Sequence, residues 1–388
     1  MNKMNSMWKA VPILAAFFVM GFCDIVGITS DYMQRCFQWS ATMTGFIPSM
    51  VFIWFLFLSI PVGNQMNRWG RKNTVIASMC ITVIGMFLPL IAFSSLTCIA
   101  AYILLGIGNA MMQVSLNPLL GNILSDNKML TSGLTAGQVV KALSSLIGPE
   151  VVLLATSHFG DDYWYYCFPM LGVTTLLFTV WLWVTPIPQE NKVSANVSIN
   201  DSLCLLRNKR ILLLVLGIFF IVGVDVATNF ISSKWMTLNY DWLPEQAKYA
   251  PQTYFLCRTI GAFLGSFLLS RISSVHYFRI SAIGCLISLL LLMSLSNATV
   301  SMVCIGGLGF FGSSIFSSIY GIAYDEYPSK MNQISGLIIT AVAGGGVVTP
   351  ILGMAVDYAG ISAGAVVILC CVVYLIFSAF TIHSKVSH

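Results

Sequence analysis

The sequence repeats itself at an offset of 201 residues, and this internal repeat constrains the fold more than any single motif. The aligned residues share a type and lie in similar apolar segments: Asp24 and Asp225, Gly106 and Gly307, Gly108 and Gly309, and Pro149 and Pro350. Two halves that match segment by segment are typical of a parallel duplication in a membrane bundle. We therefore predict a helical membrane protein built from two similar halves.

The composition supports a membrane protein. Hydrophobic residues make up 57% of the chain and charged residues only 9%, whereas a soluble domain carries about 25% charged residues. No basic tract interleaves with aromatic residues, so we expect no nucleic-acid partner. The eleven cysteines form no Cys-x-x-Cys pair or Cys/His cluster, which predicts neither a metal site nor a disulfide framework. Nucleotide-binding and hydrolase motifs are also absent from the sequence, so we expect neither enzymatic activity nor a cofactor.

Hydropathy predicts twelve membrane spans, six on each side of a polar stretch. They cover roughly residues 8–34, 44–65, 73–93, 96–122, 130–156, 163–185, 209–234, 247–270, 277–295, 297–323, 331–356 and 361–382. We predict an N-terminal six-helix bundle at 1–186, a linker at 187–208 and a C-terminal six-helix bundle at 209–388. The apolar run from Leu203 to Leu206 is too short to span a bilayer and is expected to lie on the membrane surface.

The distribution of Lys and Arg predicts the orientation. Fourteen of the 19 basic residues fall on the side that holds both termini and the linker, and only Arg35, Lys234 and Lys248 fall on the other. Lys141 and Arg258 lie inside spans. Because cytoplasmic loops carry the excess of positive charge, we predict that both termini and the linker are cytoplasmic.

The segment between spans 2 and 3 carries a recognisable motif. It resembles the Gly-x-x-x-Asp-Arg-x-Gly-Arg-Lys signature of the major facilitator superfamily, and its matching residues, which we expect to form a gating loop, are Gly63, Arg68, Gly70 and Arg71. Asn67 stands where the signature has aspartate. Any gating ion pair made by that aspartate is therefore expected to be absent or weakened here.

Three further segments narrow the resemblance: Gly21-Phe-Cys-Asp24 in span 1, Gln113 to Asn117-Pro118 in span 4, and Gly344 to Pro350 in span 11. Together they resemble the fucose–proton symporter family, which includes glucose/galactose permeases. This resemblance implies two six-helix bundles related by a pseudo-twofold axis. It also implies import of a monosaccharide such as fucose, glucose or galactose across a bacterial inner membrane, by alternating access and driven by an ion gradient.

The family's coupling residues carry over only in part. The span-1 aspartate of the proton symporter matches Asp24, but the span-4 glutamate is Gln113 here, and glutamine cannot exchange a proton. Four alternatives stay open: Asp24 couples alone, another acid such as Glu150 substitutes, sodium is the coupling ion, or transport is uncoupled. Glu150 is near the outer end of span 5, where exposure to the outer vestibule is the competing interpretation.

Ionisable side chains at bilayer depth cost about 2.5–3.5 kcal/mol or more, so each needs a partner or a function. We interpret Asp24 as the coupling or substrate-binding acid, with an ion pair to Lys141 or Arg258 as the alternative. Asp225, its counterpart in the repeat, suits a binding role and a structural role equally. Arg258 is expected to pair with Asp225.

Polar residues at similar depth are candidates for substrate binding, because amides both donate to and accept from sugar hydroxyls. They also join helices, which is the alternative for each residue taken singly. The candidates share helix faces in groups: Asn109, Gln113 and Asn117 in span 4, Gln138 and Lys141 in span 5, Asp225 and Asn229 in span 7, and Arg258 in span 8.

Two other functions are consistent with the sequence. Lys141 and Arg258 suit an acidic sugar or another organic anion, with sodium as a candidate coupling ion. A sensor built on a transporter fold without transport is the third hypothesis. The expected partners are the lipid bilayer, a sugar and a proton or sodium ion, and the protein is expected to be a monomer.

Overall fold

The computed structural model describes residues 3–25, 29, 32–33, 36–38, 41–124, 127–188, 199–247 and 249–382. All regular secondary structure in these ranges is helical. In the first half the long helices are α1 Lys3–Met20, α2 Ala41–Trp69, α3 Arg71–Ile91, α4 Ser95–Gly121, α5 Asn127–Phe159 and α6 Cys167–Val184. In the second half they are α7 Lys209–Tyr240, α8 Tyr249–Leu269, α9 Ser274–Ser294, α10 Ala298–Gly312, α11 Ile315–Glu326, α12 Met331–Thr340, α13 Gly344–Ala359 and α14 Ile361–Thr381.

Shorter helical segments join these elements. Two are α-helical turns, Ile199–Cys204 and Pro244–Ala247. Five are 3-10 segments: Gly21–Ile25, Asp161–Tyr166, Leu205–Arg207, Pro328–Lys330 and Ala341–Ala343. Helix starts are fixed locally by side chains that accept hydrogen bonds from free backbone amides. Ser94 and Thr97 form a reciprocal capping box at α4, and Asn297 accepts from Thr299 N at 2.9 Å at the start of α10.

The predicted twelve spans are confirmed. Nine stretches of the described chain are long and apolar enough to cross a membrane, and Trp8–Cys23 forms a shorter apolar helix. With α2 and α8 these account for all twelve, because α10 and α11 form one span and α12 and α13 another. Exposed apolar side chains such as Trp183, Leu256 and Phe263 cover the outside of these helices, as expected for a surface in contact with lipid.

Two of the predicted continuous spans are interrupted. Between α10 and α11 the backbone leaves the helix at Ser314, with φ −112° and ψ 4°, and Ser313 Oγ donates to the Phe310 carbonyl at 2.7 Å. Serine hydroxyls that bond back to the helix carbonyls bend helices. Between α12 and α13 the chain forms the 3-10 turn Ala341–Ala343 just before three consecutive glycines, Gly344 to Gly346, which have low helix propensity.

The segment between spans 2 and 3 is not a loop, in contrast to our prediction. Helix α2 continues to Trp69 and α3 begins at Arg71. Gly70 alone makes the turn, with a φ of 82°, a conformation that glycine adopts without steric cost. The motif residues from Gly63 to Lys72 therefore belong to two rigid helices joined at one residue.

The chain forms two compact units. Unit 1 contains Met1–Ser125, Gly137–Ser202 and Lys330–Thr340; unit 2 contains Asp126–Ala136, Leu203–Ser329 and Ala341–His388. In unit 1, α3 packs on α4 and α6, while α2 packs on α4 and α12. In unit 2, α10 packs on α8 and α9, while α7 packs on α13 and α14. Each unit thus includes a short segment from the other half of the sequence, and the predicted bundle boundaries at 1–186 and 209–388 stay a prediction.

Candidate functional site

The turn that carries Asp24 lies against α5 in unit 1. Helix α1 tightens into a 3-10 turn over Gly21–Ile25, and the side chain of Asp24 lies outside the described part of the structure. A Cβ built on Gly21 would lie 2.6 Å from the carbonyl oxygen of Lys141 and 2.7 Å from Ser144 Cβ. Only glycine permits this approach, so Gly21 fixes the position of the Asp24 turn beside the middle of α5.

Asn109 on α4 contacts the same turn. Its Nδ2 donates to Cys23 Sγ at 3.0 Å, and the residue is only 2% exposed. Its carbonyl oxygen Oδ1 is buried and has no hydrogen-bond partner among the described residues. The buried hydroxyl of Ser144 also has no hydrogen-bond partner among the described residues. Buried polar atoms without partners cost about 1–3 kcal/mol each, so two of them beside one turn indicate a place where a polar ligand or water binds.

The polar stripe of α4 is largely buried within the protein. Asn109 and Asn117 are buried and Gln113 is half-buried. The structure therefore places all three amides in the protein interior or at its edge. Their role in binding a substrate stays a prediction.

The α5 candidates differ in burial. Gln138 and Lys141 are half-buried, while Glu150 is exposed. The described residues contain two ion pairs, Arg210 with Glu326 and Arg258 with Asp225, and neither involves Lys141. An ion pair between Lys141 and Asp24 is not tested, because the Asp24 side chain is not described. The exposure of Glu150 fits the alternative that it faces an outer vestibule.

Two hydroxyl residues that hold the chain after the Asp24 turn, Thr29 and Tyr102, were not identified from the sequence. Thr29 Oγ1 donates to the Ile25 carbonyl at 2.8 Å, and Tyr102 OH on α4 donates to Thr29 Oγ1 at 2.6 Å. Both residues are completely buried. They tie the chain that follows Asp24 to α4, so the turn is held on both sides.

The second candidate site lies in unit 2, on α7 and α8. Arg258 Nη2 on α8 lies 2.9 Å from Asp225 Oδ2 on α7, which confirms the predicted pairing. Tyr254, one helical turn before Arg258, donates from its OH to Asp225 Oδ1. Sequence reasoning missed Tyr254, because one tyrosine in an apolar run gives no signal beyond its spacing of four residues from Arg258. Asn229, the other candidate on α7, is half-buried.

The motif between α2 and α3 forms a hydrogen-bonded cluster in unit 1. The buried Arg71 donates from Nε to Asn332 Oδ1 at 2.8 Å, and from Nη1 to Asn122 Oδ1 at 2.5 Å and to the Pro118 carbonyl at 3.0 Å. Asn332 Nδ2 donates to Asn67 Oδ1 at 2.8 Å. The asparagine that replaces the signature's aspartate thus makes a neutral amide contact with α12.

Two other motif residues occupy different environments. Arg68 is exposed at the end of α2. Gly63 is buried against α12, where an added Cβ would lie 2.6 Å from the carbonyl oxygen of Asn332 and 3.1 Å from Gly336 Cα. Gly63 therefore sets the crossing of α2 and α12. Within the described residues, no group of three or more His, Cys, Asp or Glu side chains is arranged to hold a metal ion.

The chain is similar in sequence and in fold to known proteins. A model of the Major Facilitator Superfamily matches residues 13–350. A candidate glucose/galactose transporter of Helicobacter pylori is 25% identical over 379 residues, which cover 92% of this chain and 91% of the relative. The L-fucose-proton symporter of Escherichia coli is 23% identical over 398 residues, covering 90% and 88%. The crystal structure of the transporter FucP in the outward conformation matches with a TM-score of 0.86 and 17% identity, covering 98% of this chain and 100% of that one.

Proposed function

The chain belongs to the Major Facilitator Superfamily, and on that premise we propose that it is a secondary active transporter that imports a neutral hexose by alternating access. Two relatives that each match at least 90% of the chain are named for glucose/galactose and for L-fucose. All three sugars are neutral and rich in hydroxyl groups. The proposed substrate is therefore a neutral hexose or deoxyhexose.

The observation that supports this proposal is a pair of buried polar atoms beside the Asp24 turn that have no hydrogen-bond partner among the described residues. Asn109 Oδ1 needs a donor, and Ser144 Oγ offers both a donor and an acceptor. Sugar hydroxyls supply both kinds of group. The half-buried Gln113, Gln138 and Lys141 extend the polar surface of α4 and α5, so we assign the first-half sugar contacts to these residues together with Asn117.

We propose that import is coupled to protons through Asp24. One relative is named as a proton symporter, and Asp24 is the acid in the tightly packed turn against α5. Gln113 cannot take part in proton exchange, and Glu150 is exposed. Asp24 is accordingly the single carboxylate of the first half to which we assign coupling.

The protein is proposed to lie in a bacterial inner membrane, with both termini in the cytoplasm. The support for this orientation is the excess of Lys and Arg on the side of the termini and linker. Alternating access would move residues 1–186 against 209–388. The Arg71, Asn67 and Asn332 cluster and the crossing at Gly63 are the contacts that we assign to the cytoplasmic gate.

Counterflow tests the proposed function. The full-length protein is reconstituted in liposomes that are preloaded with unlabelled galactose, glucose or fucose and then diluted into the labelled sugar. We expect transient accumulation of label for at least one neutral hexose, absent from protein-free liposomes. Label that never exceeds the protein-free control with any of these sugars would contradict the proposal.

A further inference from the structure

We propose that the Asp225–Arg258 pair contacts sugar hydroxyls in unit 2 and that Asp225 makes this contact selective for neutral over acidic sugars. The inference rests on the proposed function, because it takes a monosaccharide as the substrate. It assigns the second half of the molecule a specificity role distinct from proton coupling. It also decides between a neutral sugar and an acidic sugar, the two substrate classes that are consistent with Lys141 and Arg258 inside the spans.

The pair is placed where an aqueous substrate can reach it. Asp225 and Arg258 lie near the middle of α7 and α8, and their side chains are 25% and 37% exposed. Ionisable side chains in membrane spans face the bundle interior or a water-filled cavity rather than hydrocarbon. The partial exposure of this pair is therefore what we expect of side chains that line a water-filled cavity, where a dissolved sugar could reach them.

The carboxylate of Asp225 is both held in place and able to accept more hydrogen bonds. Tyr254 OH donates to Oδ1, and Arg258 Nη2 lies 2.9 Å from Oδ2. An ionised carboxylate offers about four acceptor sites, so two sites are left for hydroxyl donors. A vicinal diol of a sugar supplies two donors at the spacing of one carboxylate.

The position of Tyr254 is fixed from behind by α10. Tyr254 is 2% exposed, and a Cβ built on Gly309 would lie 2.5 Å from its carbonyl oxygen. The close helix contact orients the tyrosine hydroxyl toward Asp225, so Tyr254 acts as a positioning residue. The packing of Tyr254 thus fixes one of the two hydrogen-bond donors to Asp225.

The repeat shows that the pair is specific to the second half. At the offset of 201 residues, Arg258 aligns with Phe57, which is 60% exposed, and Tyr254 aligns with Ile53. Asp24 therefore has no counterpart of this arginine or this tyrosine in the equivalent helix. The two aspartates have different surroundings, which supports different roles for them.

Charge decides the substrate class. Asp225 and Arg258 together carry no net charge, and the carboxylate of an acidic sugar at this point would be repelled by Asp225 while Arg258 is already neutralised. Without Asp225, the guanidinium would attract such a carboxylate and bind it with charge-assisted hydrogen bonds. Asp225 is therefore the residue that rejects acidic sugars.

The test compares galactose with galacturonate, which differ by one carboxylate. Dissociation constants are measured by titration calorimetry on the full-length purified protein and its Asp225→Asn variant. We expect the preference to move at least about tenfold toward galacturonate in the variant, because Asp225 no longer neutralises the guanidinium or repels the sugar carboxylate. An unchanged ratio of the two constants would overturn the role of Asp225.

Two further variants are controls: one removes a hydrogen bond at the site without changing its charge, and the other removes both charges. Tyr254→Phe keeps both charges, so it should weaken galactose binding without any gain for galacturonate. The double variant Asp225→Asn, Arg258→Gln removes the cation as well, so it should also show no gain. It serves as the second measurement if the single variant does not fold, because it leaves no single charge of the pair without its partner inside the membrane span. An equal gain in the double variant would overturn the proposal.

The outcome for the wild-type protein separates this inference from the proposed function. If the wild type binds galactose but Asp225→Asn does not shift the ratio of the two dissociation constants toward galacturonate, only the role of Asp225 is wrong. If the wild type binds neither galactose, glucose nor fucose, the proposed substrate class is wrong and this inference is rejected with it.

Discussion

The candidate sites are identified by single polar or charged residues that lie within otherwise apolar helices. Asn109 Oδ1 and Ser144 Oγ have no hydrogen-bond partner among the described residues, and Asp225 and Arg258 form a partly exposed ion pair; all four residues lie inside apolar helices. Each has a cost in free energy that packing alone does not offset. Their positions follow from helix faces, so the stripe on α4 was predictable from spacing. Ser144 was not, because a serine in an apolar run is compatible with either a buried or a lipid-facing position.

We predict that Asn109→Ala weakens sugar binding about two- to tenfold, because one hydrogen bond to a hydroxyl is lost. Equilibrium binding of labelled hexose measures this. Ser115→Ala is the matched control: Ser115 lies buried on the same helix, and its hydroxyl bonds the Met111 carbonyl at 2.7 Å. Equal effects in the two variants would indicate that Asn109 is structural.

We predict that Gln113→Glu makes uptake more dependent on pH. The substitution places a carboxyl group at the half-buried position that the sequence resemblance aligns with a glutamate, and so adds a second group that can exchange protons. Initial uptake rates of the wild type and the variant between pH 5 and 8 measure this. A pH profile identical to that of the wild type would exclude Gln113 as a replaced coupling acid.

At the level of elements, hydropathy located the twelve spans but not their interruptions. A window average is insensitive to one serine or three glycines, yet Ser314 and Gly344 are where the predicted spans 10 and 11 break. The motif between spans 2 and 3 was interpreted as a loop because its charges resemble loop composition. In the structure the helices continue through it to Gly70.

Residues that the internal repeat aligns share a residue type, but they do not always contact corresponding helices. A Cβ on Gly106 would lie 2.6 Å from the Val51 carbonyl of α2, whereas a Cβ on Gly307, its aligned partner, would lie 2.5 Å from Ser288 Oγ of α9. In the repeat α2 corresponds to α8, not to α9. Both glycines permit close packing, but they face different neighbours, and a linear offset does not show this.

Close crossing of α2 and α12 is a testable property of the elements. We predict that Gly336→Ala destabilises the protein by about 1–3 kcal/mol, because the added Cβ would lie 2.7 Å from the Ser59 carbonyl. The melting temperature in detergent measures this. Gly353→Ala on α13 is the control: nothing lies within 4 Å of the added Cβ, so better helix propensity should leave stability unchanged or raise it by up to about 1 kcal/mol. A melting temperature of Gly336→Ala at or above the wild-type value would contradict the predicted overpacking.

For the whole molecule, the sequence predicts two similar halves. The structure forms two compact units, and each unit includes one short segment from the other half of the sequence. Residues 330–340 belong to unit 1 and residues 126–136 to unit 2. These segments are related by the same repeat, since each begins the fifth span of its half. Their contacts depend on side chains distant in sequence, such as Arg71 with Asn332, or Thr131 with Ser274 at 3.0 Å between their hydroxyl oxygens. Such pairs were not predictable from one sequence.

The orientation of the whole molecule is testable with an epitope added after His388. Because the basic residues concentrate on the side of both termini, we expect antibody to reach the epitope only after the cell membrane is permeabilised. An epitope inserted after Ser296, between α9 and α10 on the opposite side, is the control and should be accessible in spheroplasts, which lack the outer membrane but keep the inner membrane intact. Binding to the C-terminal epitope in intact spheroplasts would reverse the proposed orientation.

The most direct measurement for proton-coupled hexose import is accumulation driven by an imposed gradient. Liposomes that contain wild-type protein or Asp24→Asn are given an inward proton gradient and labelled hexose, with and without a protonophore. We predict that the wild type concentrates sugar above the external level and loses this with the protonophore, whereas Asp24→Asn equilibrates sugar without concentrating it. Accumulation by Asp24→Asn equal to that of the wild type, or wild-type accumulation that is insensitive to the protonophore, would contradict the account.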